Sequence, residues 1–196
     1  MNYARVARLL LLSIFAWAWL AGVFSFGLFA QEQAEAGSGG KTKVDLGMGQ
    51  AAPGAVVSIP AILKAPDAVD VGTVVLEIAF PSKLLSFEKV SKAIAAEAAN
   101  AEVTAVVLPQ DGQSEKTVVD ITVKAEKGGF IPNGSMLDLF FKVSPEAPKK
   151  DTITVENTPE VSTNGDPPNK VPVVGDPGEI IVAETTLVFG CFFYMH

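Results

Sequence analysis

One cysteine and one histidine, Cys191 and His196, are all that this 196-residue chain holds of either, and both fall in its last six residues. A lone thiol makes no disulfide within the chain, so packing has to hold the fold together. Nucleophilic catalysis by a Ser/His or Cys/His pair needs an internal histidine, and zinc or copper sites need clustered His and Cys, so both classes are excluded. Neither G-x-x-x-x-G-K-[ST] nor a G-x-G-x-x-G opening a helix occurs, which removes the usual phosphate cradles. Arginine is confined to Arg5 and Arg8. Beyond Ala30 the chain carries 22 acids against 13 lysines, a net −9, the wrong sign for tracking nucleic-acid phosphates or an anionic membrane surface. That acidity suits an extracellular protein, or one that meets a basic patch on a partner. Flat amphipathic rings are equally scarce: Trp17, Trp19, Tyr3 and Tyr194 all lie near the ends. The middle of the chain has only Phe80, Phe87, Phe130, Phe140 and Phe141. Phe80, Phe87 and Phe141 are expected in the core and Phe130 or Phe140 at the surface, which leaves no platform for stacking sugars.

Carboxylates are plentiful, so hydrolysis by two of them needs separate scrutiny. Glu77, Glu102, Asp120 and Asp138 each fall on an outward strand position, where solvated charge is the ordinary state. No enzymatic activity is expected. The loops DGQSE, NGDPPNK and VVGDPGE contain candidate oxygen ligands for calcium, but none has the EF-hand spacing, and turn formation accounts for them. Neither a metal nor a cofactor is expected.

The N-terminus places Arg5 and Arg8 before an apolar run from Leu9 to Ala30, followed by the polar QEQAEAGSGGK. This is the layout of a secretory signal, with small residues for cleavage at Ala30 or in Ala34-Glu35-Ala36. The run is also long enough to remain as a membrane anchor. Residues 1–30 are therefore assigned as signal peptide or anchor, 31–42 as a Gly/Ala/Ser/Glu linker and 43–183 as the folded domain. Residues 184–196 form a tail, TTLVFGCFFYMH at its end, too short to span a bilayer; it is either a sorting signal with Gly190-Cys191 as modification point or a disordered end.

Between Lys43 and Val182 short β-type runs alternate with Gly, Pro, Asn and Asp punctuation. In AVVSIPAIL the residues Val57, Ile59, Ala61 and Leu63 share a face. In VGTVVLEIAFP they are Val74, Leu76, Ile78 and Phe80, with Thr73, Val75, Glu77 and Ala79 opposite. Pro81 ends that strand, and LLSFEKV resumes with Leu85 and Phe87 inward. SKAIAAEAANA is the one helical run, with Ser91 as N-cap, and is expected to pack on a sheet. KVDLGM, EVTAVVL, TVVDITVKA, SMLDLFFKV, DTITV and EIIVA complete about nine strands. Val119, Ile121 and Val123 form one face of TVVDITVKA; Leu137, Leu139, Phe141 and Val143 do so in SMLDLFFKV. With almost no helix and no fixed-period repeat, the pattern predicts an antiparallel β-sandwich.

The order of these runs resembles a cohesin domain. VSIPAILKAPDAVDVGTVVLEIAFPSKLLSFEKV is similar to its opening, with a VxVPVxL-type strand, an alternating strand, an x-Pro-Ser turn and a Leu-x-Phe strand. IPNGSMLDLFFKV through GEIIV is similar to its closing half. The likeness runs from about Lys43 to Val182. It implies a nine-stranded jelly roll without catalysis that binds dockerin modules, in secreted or cell-surface assemblies often devoted to polysaccharide degradation. In that family the partner docks on the outward face of one sheet, including the strand before the Pro-containing turn. Carried over, this implies a site at Thr73, Val75, Glu77 and Ala79, with Asp120 and Thr122 from a later strand. The Tyr-Asp-Pro common before that turn stands here as Ala79-Phe80-Pro81, so another protein ligand fits as well as a dockerin. The fold is shared with carbohydrate-binding modules, so polysaccharide binding and a purely structural or adhesive role remain the alternatives.

Overall fold

A computed structural model describes residues 40–109 and 114–184. The assigned signal segment, most of the linker, Asp111, Gly112 and Gln113 of the DGQSE loop, and the tail with Cys191 and His196 lie outside the described residues. The elements, in order, are β1 (Thr42–Leu46), β2 (Met48–Ala51), β3 (Val56–Lys64), β4 (Val71–Pro81), β5 (Leu85–Lys92), α1 (Ile94–Ala98), β6 (Glu102–Val107), β7 (Lys116–Lys124), β8 (Gly134–Val143), β9 (Thr152–Thr163), β10 (Lys170–Val171), β11 (Val173–Asp176) and β12 (Gly178–Val182).

Two sheets face each other, one in the order β11-β1-β3-β8-β5, the other in the order β2-β12-β9-β4-β7-β6 with β10 added on β9. The predicted sandwich is present, with twelve strands among the described residues in place of nine. The difference arises chiefly at the ends, where the first and last extended runs each divide between the two sheets. β1 pairs with β11, and β2 with β12, in parallel, whereas the other pairings are antiparallel.

Period-2 alternation builds the core. Ile59, Ala61 and Leu63 on β3, Val74, Leu76, Ile78 and Phe80 on β4, Val119, Ile121 and Val123 on β7, and Leu137, Leu139, Phe141 and Val143 on β8 are all fully buried. Each large aliphatic or aromatic side chain so buried contributes about 1.5–3 kcal/mol. Phe80 reaches across from one sheet to meet Phe141 of the other edge-on, with centroids 5.2 Å apart, and Phe87 on β5 packs edge-on against Phe141 at 5.8 Å. The Pro81 break is therefore where the chain leaves one sheet and enters the other.

Two local expectations change. Ser91 does not cap the helix: Ser91 and Lys92 continue β5 against Asp138 and Leu137 of β8, the N-cap is Ala93, and no side chain caps it. Pairing to a neighbouring strand outweighs the local preference of one serine. The helix does pack on the sheet, burying Ala95 and Ala96. It closes with Asn100 at a φ of 46°, its N–H donated to Glu97 O and that of Ala101 to Ala96 O, a Schellman end. DTITV proves to be only the start of β9, which continues through Pro159 to Thr163. Pro159 is tolerated because β12 pairs only with Thr152–Val155, so beyond that stretch β9 has no ladder neighbour on that side until β10.

Gly47 is the switch between sheets. Its N–H donates to Pro60 O of β3 at 2.8 Å, and its carbonyl accepts from Glu179 N–H of β12 in the other sheet at 3.3 Å. Nitrogen and carbonyl of a strand residue point the same way, so the Pro60 ring faces the place that β1 vacates and no N–H is missed. A Cβ at Gly47 would lie 2.6 Å from Pro60 Cγ. Gly47→Ala is expected to lower stability by about 1–3 kcal/mol in denaturant unfolding. Combined with Pro60→Ala it should cost less than the two single changes added together, because the clash needs both partners.

Candidate partner-binding face

Residues of β4 alternate strictly, so burying Val74, Leu76, Ile78 and Phe80 turns Thr73, Val75, Glu77 and Ala79 outward. β4 lies between β9 and β7, near the middle of its sheet. Asp120 sits directly opposite Glu77, and Thr122 directly opposite Val75, on β7. The six residues named from sequence thus form one contiguous block on the outer side of this sheet.

The register extends the block in both directions. One row runs Thr104, Thr122, Val75, Glu160 across β6, β7, β4 and β9; the next runs Val106, Asp120, Glu77, Thr158. The β9 members escape a reading of sequence that stops the strand at Val155. The signal that would reveal them is the alternation of Val155, Asn157, Pro159 and Val161 with Glu156, Thr158 and Glu160. Thr104 and Val106 escape because Val103–Val107 is uniformly apolar or small, and only Glu102 at its start marks the outer face.

Charge sets the character of this face. Glu156 pairs with Lys116 at 2.6 Å, and Glu160 with Lys170 at 3.2 Å, so the acids towards β9 have cations. Among the described residues neither Glu77 nor Asp120 has an ion pair, and the two are direct cross-strand neighbours. Like charges placed opposite each other in a ladder oppose sheet formation. The centre of the face therefore holds an unneutralised acidic pair, bordered by the small apolar Val75 and Ala79 and by threonines. On the other sheet the Asp45 carboxylate, 2.6 Å from the Lys64 ammonium, raises the Lys64 pKa, first by the hydrogen bond and then by its charge, against a small loss of hydration.

Nothing on this face assembles reactive groups. Among the described residues no three His, Cys, Asp or Glu side chains converge to hold a metal ion. Two surface depressions among the described residues lie away from its centre and are open to solvent, one beside Ser82, Lys83, Lys142 and Pro145, another beside Asn100, Glu102, Lys124 and Asn164. Phe130 stands 55% exposed on a loop, while Phe140 is half-buried on the opposite sheet with the Lys89 ammonium 4.7 Å from its ring centre.

No protein-family model matches the chain, and no curated protein matches it significantly. Solved structures do. A cohesin–dockerin complex from Clostridium thermocellum, built on the OlpA cohesin, superposes with a TM-score of 0.59 at 16% identity, covering 73% of this chain and 99% of that one. The non-cellulosomal cohesin of the archaeon Archaeoglobus fulgidus gives 0.55 at 19%, covering 74% and 93%. The sixth cohesin of scaffoldin B from Acetivibrio cellulolyticus, in complex with a Cel5 dockerin, gives 0.56 at 12%, covering 73% and 99%. The fold of the described residues is the cohesin β-sandwich.

Asp120→Asn keeps the shape and removes the repulsion with Glu77. It is expected to raise stability by about 0.2–1 kcal/mol at low salt. The gain should shrink as ionic strength rises. Thermal unfolding at two salt concentrations measures both.

Proposed function

We propose that this chain is an exported, non-catalytic binding module that captures a protein partner, dockerin-type or of similar chemistry, on the outer face of β9, β4, β7 and β6. The observation that carries this reading is the Glu77–Asp120 pair. A sheet that only had to fold gains by neutralising it, whereas a partner bringing a lysine or arginine turns the same repulsion into attraction. Val75 and Ala79 beside the pair leave room for close approach and offer the apolar contact that the centre of an interface uses. The fold is one that carries bound dockerins in solved complexes, which supports a protein ligand without identifying it.

The basic N-terminal region and apolar run support export, and the net −9 beyond Ala30 suits an extracellular setting. Membership of a polysaccharide-degrading assembly would follow from the partner. Direct polysaccharide binding has less support, since Phe130 is the one exposed aromatic side chain among the described residues.

The test is capture from the proteins secreted by the producing cell, on the immobilised chain and on its Glu77→Lys variant. The wild type should retain a protein that elutes with salt, and Glu77→Lys should weaken it by about ten- to a thousandfold with an unchanged circular dichroism spectrum. Equal retention by both proteins discards this face. Retention on insoluble polysaccharide with no protein captured discards the reading as a whole.

A further inference from the structure

A sandwich has two long sides, and here they differ. On one side β1/β2 and β11/β12 pass between the sheets and close it. On the other, β5 ends one sheet and β6 ends the other, joined through α1. An edge strand presents a row of unpaired N–H and C=O groups, which proteins usually guard with charge, proline, a bulge or shortness. β5 is guarded by Glu88, Lys89 and a register shift between Phe87 and Lys89. β2 and β11 have only four residues each. β6 has none of these devices: between Glu102 and Pro109 it reads Val-Thr-Ala-Val-Val-Leu. Among the described residues β6 pairs with β7 alone.

Its side chains are as open as its backbone. Val103, Ala105 and Val107 stand opposite the fully buried Val123, Ile121 and Val119 of β7, and therefore point towards the sandwich interior. Yet Ala105 is exposed and Val107 is 54% exposed. β6 overhangs the facing sheet, and among the described residues its inward apolar row lacks a cover.

From this edge and its overhang together we infer that β6 pairs antiparallel with β6 of a second copy of this chain, making one sheet continuous across two molecules. A two-fold axis perpendicular to the sheet keeps both inner faces on the same side only if a residue sits opposite its own copy. Centring that axis on Ala105 places Thr104 opposite Val106 and Val103 opposite Val107 of the second copy, and Glu102 opposite Leu108. Both glutamates then lie at the ends, no like charges meet, Pro109 falls outside the ladder and the smallest side chain occupies the axis. Centring on Val106 brings Pro109 into the ladder, and centring on Thr104 draws Glu102 into the apolar run. A short β-prone segment without charge or proline is also the kind that pairs with itself. Because the join lies at the edge, the outer faces of the two copies stay free on the same side and present two equal binding surfaces, a geometry suited to a partner with repeated sites. The pairing stands independently of what those surfaces bind.

Cysteine scanning in the full chain carrying Cys191→Ser tests both the pairing and its register. Opposed Cα atoms in such a ladder lie about 4.5–5.5 Å apart, inside the range of about 4.4–6.8 Å that a disulfide bridges. Under mild oxidation Ala105→Cys should form a disulfide-linked dimer at least tenfold faster than Val103→Cys or the distant Thr158→Cys. Thr104→Cys mixed with Val106→Cys should cross-link to each other. Adding Val107→Lys to the Ala105→Cys chain should cut the dimer at least tenfold with strand content unchanged by circular dichroism. The site is already half exposed, so folding should tolerate the charge. Equal rates at all positions overturn the inference, as does an Ala105→Cys chain that links only to a different protein, the result expected if an extended peptide of another partner occupies the edge.

Discussion

The contact between two inner faces is what everything else in this molecule rests on. No disulfide is available within the chain and no metal cluster forms among the described residues, so the sandwich is held by alternate side chains meeting across the gap. Phe80 against Phe141 is the clearest instance, a ring from each sheet meeting edge to face. Because a strand cannot bury one face without turning the other outward, this core dictates the position of every residue on the outer surface. Burial of Leu76 and Ile78 makes Glu77 available; burial of Val119 and Ile121 does the same for Asp120. The candidate binding face is the geometric complement of the core, and only its chemistry is free to vary.

That freedom is used in an uneven way. Towards β9 the acids are matched with lysines, as in Glu156 with Lys116 and Glu160 with Lys170. At the centre Glu77 and Asp120 stand opposed without a cation. Exposed ion pairs contribute little to folding, so their presence near β9 explains little of the stability. The absence of one at the centre says more, because there the arrangement works against the sheet.

Much of this could be read directly from the amino-acid order. Strands β3, β4, β7 and β8 were legible because each has three or more alternating apolar residues and ends in turn chemistry, and the outward set on β4 followed at once. What escaped depended on partners distant in sequence. Ser91 has a cap's propensity, but whether β8 would extend far enough to hold it in a strand is not written near Ser91. Pro159 looks like a terminator until β12 is known to stop pairing beforehand. The division of the end strands rests on Gly47 meeting Pro60, a contact that neither residue announces alone. For the face, alternation named the residues on β4 and β7, but their register, which puts Asp120 on Glu77 and not one pair along, is set by pairing of whole strands.

The parallel pairing of β1 with β11 and of β2 with β12 reaches beyond folding. Thr42 opens the leading strand of the first pair and Val182 closes the trailing strand of the second, so traction applied at these two points drags the strands of each pair lengthwise past each other. Their hydrogen bonds then bear the load together and cannot open one at a time like a zip. A domain strung between a fixed point and a moving cargo would, by this arrangement, resist being torn open where the pull is greatest.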